Sequence, residues 1–143
     1  MVISTEVINT RLKRLEKALQ ILQQSSKVPF EELTANDVLL SAVERNLQVA
    51  IECILDIGNH IIAEKGFEIP ENSGDIIRIL GEEKVIPSNF AKKIKDIAGF
   101  RNILIHEYTR IDYELLYNYL LNRLNDLREF ALYISSYLEK KKT

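Results

Sequence analysis

In Leu39-Leu40-Ser41-Ala42-Val43-Glu44-Arg45-Asn46-Leu47-Gln48-Val49-Ala50-Ile51-Glu52-Cys53-Ile54-Leu55-Asp56-Ile57-Gly58-Asn59-His60-Ile61-Ile62, apolar residues recur at helical spacing along two lines. Leu39, Val43, Ala50, Ile54, Ile57 and Ile61 make one line, and Leu40, Leu47, Ile51, Leu55 and Ile62 make the other. A helix that is apolar on two faces either sits at the centre of a bundle or packs on a bundle and on another subunit. Thr34-Ala35-Asn36-Asp37 before it has the form of a helix start, a capping oxygen followed by an acid in the first turn. Gly66 is the natural stop. The span is about 30 residues, or roughly 45 Å of helix. Gly58 inside it costs about 1 kcal/mol relative to alanine.

Helices on either side complete the bundle. Ile8, Leu12, Leu15, Leu19 and Leu22 form one stripe of a helix expected from Ser4 to Gln24. It is closed by the run into Pro29, because a proline disfavours helix in the residue before it. Phe67 to Ser73 reads as a loop, and Asp75 to Leu80 as a short helix closed by Gly81. A fourth main helix is expected from Ser88 to Ile105. The last is capped by Asp112 and carries Leu116, Leu120, Leu124, Leu127, Ala131, Ile134 and Leu138, with Lys140, Lys141 and Lys142 as a frayed, solvated end. The expected architecture is all-α, a single domain over residues 1–143, an antiparallel bundle of four main helices plus one short helix.

Composition agrees. The 143 residues include only five glycines and three prolines. An average chain of this length carries about 17 of the two together, which argues against a many-turned β-sandwich or barrel and favours a few long helices. The net charge of −2 gives no global basic field, so a nucleic-acid partner would have to be held by a local patch. The single cysteine, Cys53, excludes an intrachain disulfide framework, fits a reducing cytoplasm and reads as core packing. Met1 to Lys13 has no long apolar run, and no stretch approaches the roughly 20 apolar residues of a membrane span. Cytoplasmic residence without membrane association is therefore expected.

The fourth helix departs from its own pattern. Phe90, Ile94, Ile97, Arg101, Leu104 and Tyr108 lie on one stripe, which puts an arginine where the core should be. Two readings stand. One is a structural arginine, snorkelling or paired with Glu44, Glu52 or Asp56. The other is an arginine held in a cleft for an anion, where its planar fork suits phosphate. Arg101, Asn102, His106 and Tyr108 lie within eight residues. Asn102 and His106 share one helix face and Arg101 and Tyr108 another. Arg101 and His106 stand roughly 140° apart on a straight helix. Either the helix unwinds near His106, or a second copy of the chain completes the site. Lys92, Lys93, Lys95, Arg101 and Arg110 outnumber Asp96 and Glu107 nearby, which is a solvated face or a weak phosphate-tracking patch. His60 reads as structural. Glu-x-x-His, His-Glu-x-x-His and glycine-rich phosphate loops are absent, so no metal or cofactor is expected.

Arg101-x4-His106-x-Tyr108, with Gly99-Phe100 before it and Ile111-Asp112-Tyr113 after it, resembles the signature of HepT-like toxins of the HEPN superfamily of helical ribonucleases. Glu44 to Glu52 resembles that family's second helix. The resemblance implies a homodimer with the two motifs meeting at its interface and metal-independent RNA cleavage. It makes Arg101 and His106 catalytic, with Asn102 matching a frequent polar neighbour. It also implies a partner, a small MntA-like nucleotidyltransferase antitoxin that silences the toxin by transferring AMP to Tyr108. The rival reading is a non-catalytic helical module that binds a nucleotide or nucleic acid and dimerises.

Overall fold

The computed structural model describes residues 5–106 and 111–142, without the side chains of His106 and Lys142. The described residues are helical, with no strand among them, in the order α1 (Thr5–Ser25), α2 (Phe30–Ala35), α3 (Asp37–Lys65), α4 (Ser73–Glu82), α5 (Ser88–Ile94), α6 (Ile97–His106), α7 (Tyr113–Asn122) and α8 (Leu124–Lys142).

Both apolar lines of α3 are buried inside the chain, because α3 lies against α1, α2, α4, α6 and α8. The second line is therefore spent on intrachain packing. Asn36 caps α3 through its side chain, which accepts from the Leu39 N–H at 3.0 Å, and Gly66 ends it in the left-handed conformation at φ 67°. The stripes of α1 and of α7 with α8 are buried as expected, with Leu12 and Ala131 at their edges. Asp112 caps α7, accepting from the Glu114 and Leu115 N–H groups at 3.0 and 3.1 Å.

The helices differ from the sequence expectation in their punctuation. Residues 30–35 form an extra turn and a half, α2, which is too short to show a period. The fourth helix is broken at Lys95-Asp96 into α5 and α6, and the last is broken at Arg123 into α7 and α8. Neither break falls at a glycine or a proline; an ion-pair knot between them, described below, accounts for both. The stripe Leu116–Leu120–Leu124–Leu127 runs through the second break without losing its face. Lys140 and Lys141, expected to fray, continue α8.

Gly81 does not close α4 but lies inside it, and its role is close packing. A β-carbon on Gly81 would stand 2.6 Å from Cβ of Ala91 on α5. Gly58 makes the matching approach from α3, where a β-carbon would stand 2.6 Å from Cγ2 of Ile76 and 2.9 Å from Cδ1 of Leu80. The two glycines let α4 lie tightly between α3 and α5. The Gly58 contacts are with side-chain tips that can turn aside. Ala91 Cβ is fixed to its backbone, so α4 and α5 themselves must part to admit a methyl at Gly81. Gly81→Ala is expected to lose about 1–2 kcal/mol net, despite the helix-propensity gain of about 1 kcal/mol. Urea unfolding should show a lower midpoint with an unchanged slope, and a raised midpoint would refute the packing role.

Candidate functional site

Arg101 sits on α6, half-buried, on the stripe that Phe90, Ile94 and Ile97 bury upstream. Its Nη2 donates to Ser73 Oγ on α4 at 3.3 Å and to Oδ1 of its neighbour Asn102 at 3.1 Å. Its Nε is enclosed and without a partner among the described residues. Among the described residues no carboxylate comes within ion-pair distance of it. The structural alternative, a pair with Glu44, Glu52 or Asp56, is not adopted: Asp56 pairs with Arg11 at 3.4 Å and Glu52 accepts from Gln48 at 3.0 Å. Burial raises the Glu44 carboxyl pKa, with no cation to offset it.

Two other arginines show what a structural arginine does here. Arg78 on α4 reaches Glu68 at 2.7 Å, Glu82 at 2.9 Å and Asp75 at 3.5 Å. Arg123, between α7 and α8, binds Asp96 with both Nη groups at 2.9 Å and Asp126 through Nε at 2.7 Å. Their charges are cancelled locally. Among the described residues Arg101 is held by neutral oxygens only, which leaves its charge available to an anion.

The Arg123 knot also sets the motif helix in place. Asp96 lies in the α5–α6 break and Arg123 is the α7–α8 break, so one bidentate pair ties the two together. Arg123 Nη2 further donates to the Lys93 carbonyl at 3.2 Å. Its guanidinium lies 4.9 Å from the centroid of Tyr119, which stacks on Phe100 at 4.1 Å and 3°. Phe100 is the residue before Arg101. Burial pushes the Tyr119 phenol up, and its hydroxyl is enclosed without a partner.

The basic patch is smaller than the sequence suggests. Lys93 is committed to the buried Asp126 at 3.1 Å. Lys92 and Lys95 line a cleft of about 630 Å³ between α4 and α5 that starts at Gly74, one residue beyond Ser73. Asn102 is exposed beside Arg101. Tyr108 and Arg110 lie outside the described residues, as does the side chain of His106, whose backbone closes α6. Cys53 is buried, as expected of core packing. His60, on α3, lies 3.7 Å from Glu64. Sequence reasoning missed Ser73 and Arg123; each acts on a residue 27 or 28 positions away, which no local pattern reports.

The ribonuclease HepT-like family model matches residues 12–134. The chain belongs to this family. Among its relatives, the mRNA nuclease HepT of Shewanella oneidensis is 27% identical over 119 residues, which is 83% of this chain and 86% of the relative. The tRNA nuclease HepT of Aphanizomenon flos-aquae is 28% identical over 137 residues, 92% of this chain and 90% of the relative. Among solved structures, the tri-AMPylated HEPN toxin of Shewanella oneidensis in complex with MNT antitoxin shares the HEPN helical fold, with a TM-score of 0.83 at 24% identity, covering 91% of this chain and 97% of that one.

Within this HepT-like fold the Arg123 knot predicts an acid dependence. The Arg123 guanidinium holds the Asp96 carboxyl below the usual carboxylate range. A lowered native pKa contributes stability that is complete above the unfolded value of about 3.9 and is lost as pH falls through the native value. Between pH 5 and pH 3 the wild-type urea midpoint should therefore fall more steeply than that of Asp96→Asn. Arg123→Ala should cost about 3 kcal/mol, because it strips a partner from buried Asp126. Parallel midpoints for wild type and Asp96→Asn would dismiss the knot as a stabilising element.

Proposed function

We propose that this chain is a single HEPN-like domain that acts as a metal-independent endoribonuclease toxin, cleaving RNA at a composite Arg101 and His106 site where two copies meet. The observation that carries the reading is the half-buried Arg101, held by Ser73 and Asn102 with no acid among the described residues, five residues before His106 in a chain of the ribonuclease HepT-like family. The relatives named mRNA and tRNA nuclease HepT support RNA as the substrate class.

The chemistry follows from these residues. The 2′-hydroxyl oxygen attacks the adjacent phosphorus, its proton goes to an imidazole, and the bond from phosphorus to the 5′-oxygen breaks as a second proton is delivered to that oxygen. A histidine with an ordinary pKa near 6.5 both takes and gives protons near neutrality. Arg101 stabilises the charge that grows on the phosphoryl oxygens. Lys92 and Lys95 in the α4–α5 cleft, with Arg110 beyond the described residues, would hold flanking phosphates. Lys93, committed to Asp126, is left out of that patch.

Two observations favour a shared site. The helical backbone of α6 runs through His106, so the unwinding that would bring Arg101 and His106 together on one protomer does not occur before His106. Positions 101 and 106 then stand roughly 140° apart around the axis. Tyr113 and Leu121 on α7 are exposed apolar residues on one side of the helix that follows the motif, suited to burial against a second copy.

Purified chain should cleave RNA in the presence of EDTA. Arg101→Ala and His106→Ala should each lower the rate by at least about a hundredfold without changing helicity. Mixing the two variants should restore part of the activity, because some mixed dimers then carry one intact composite site. No cleavage by the wild-type chain would leave the non-catalytic binding module as the reading, and cleavage by both variants at the wild-type rate would remove these residues from the site.

Regulation is read through Tyr108, two residues past His106. We propose an MntA-like nucleotidyltransferase as the partner, the support being the AMPylated toxin–antitoxin complex of the same fold. AMP on the Tyr108 oxygen would place a bulky anion near Arg101 and occupy the charge an RNA phosphate needs. Coexpression with such an enzyme should add mass in whole AMP units to the wild-type chain and none to Tyr108→Phe, which should resist neutralisation. Neutralisation with unchanged mass would mean control by binding alone.

A further inference from the structure

We infer that Ser73, on α4, is a positioning residue for Arg101 and sets which end of the guanidinium faces the RNA phosphate; this rests on the proposed ribonuclease reading. A guanidinium has five N–H donors. In Arg101 both hydrogens of Nη2 are spoken for, one by Ser73 Oγ at 3.3 Å and one by Asn102 Oδ1 at 3.1 Å. Among the described residues Nη1 has no acceptor, and Nε is enclosed. The end of the fork that carries Nη1 is thus left for an anion. Asn102 is the adjacent residue and turns with the same helix. Ser73 comes from another element, so among the described residues it is what ties the guanidinium to α4.

Nothing else among the described residues requires a hydroxyl at position 73. The N-cap of α4 is Asn72, whose Oδ1 accepts from the Asp75 N–H at 3.1 Å, while Asp75 Oδ2 accepts from the Glu71 N–H at 3.0 Å. The helix start is therefore capped without Ser73. These two bonds hold the backbone on either side of Ser73 in place.

The acceptor is also of the right kind. A carboxylate at this point would grip Arg101 as Asp96 grips Arg123 and would cancel its charge. A hydroxyl orients the fork and leaves the charge intact. In the transition state, where negative charge on the phosphoryl oxygens is greatest, an oriented cation matters more than in the bound ground state. The effect of Ser73 should therefore fall on kcat more than on KM.

The test is a series at position 73 read by RNA cleavage and by urea midpoint. Ser73→Ala should lower kcat by about five- to tenfold, with KM and the urea midpoint little changed. Ser73→Thr, which keeps the oxygen, should restore most of the rate. Ser73→Asp should fold at least as well as wild type yet lose about a hundredfold, because the charge is then cancelled. In an Arg101→Lys background, Ser73→Ala should cost little further, since the fork it orients is gone. Equal losses in the Ala and Thr variants, or activity that simply follows stability across the series, would overturn the inference. A second readout does not depend on catalysis. In ¹⁵N spectra the Nη hydrogens of Arg101 should be slowed by the Ser73 bond in wild type and freed in Ser73→Ala. Unchanged signals would refute the positioning role, whereas freed signals in a chain that never cleaves RNA would uphold it and discard the ribonuclease reading instead.

Discussion

The bidentate pair between Arg123 and Asp96 holds together two places where helices give way. An arginine at one break and an aspartate at the other, 27 residues apart, close onto each other with both Nη groups at 2.9 Å. The same guanidinium lies against Tyr119, and Tyr119 stacks face to face on Phe100. Through that stack the direction of α6, and hence the place of Arg101, depends on a charge pair located on the far side of the break. A hydrophobic stripe alone would have let α5 and α6 run on as one straight helix.

The second constraint comes from α3. Because its two apolar faces are covered by different neighbours, it fixes α1 on one side and α4 and α6 on the other. Gly58 and Gly81 remove the two methyl groups that would keep α4 at arm's length. That close approach brings the start of α4, with Ser73, to Arg101. Packing of small residues deep in the bundle and hydrogen bonding at the site are thus successive steps of one placement.

The long periodic elements were legible because burial imposes a period and the period survives in the sequence. The two lines in residues 39–62, the Asn36 cap and the Gly66 stop all follow from local rules. Arg101 was legible for the opposite reason, as a charge on an apolar stripe. The breaks at 95–96 and 123 were not, because no glycine or proline marks them and their cause is an ion pair between distant residues. Gly81 looked like a helix end, since glycine after an apolar run usually is one; its actual reason is a neighbour, Ala91, that only the fold reveals. The same holds for Lys93, which a charge count along the chain adds to a basic patch and which the fold gives to Asp126. In each case local chemistry was readable and pairing across the bundle was not.

The neutral cradle around Arg101 has an evolutionary consequence. Replacing an arginine that neutralises acids strands those acids in the interior, so a lineage that loses Arg123 risks losing the protein. Among the described residues Arg101 leaves behind only a serine oxygen and an amide, both content with water. Descendants can therefore shed the charge and keep the bundle. A copy that has lost the charge at position 101 can stay folded, and the bundle is free to persist as a scaffold without it.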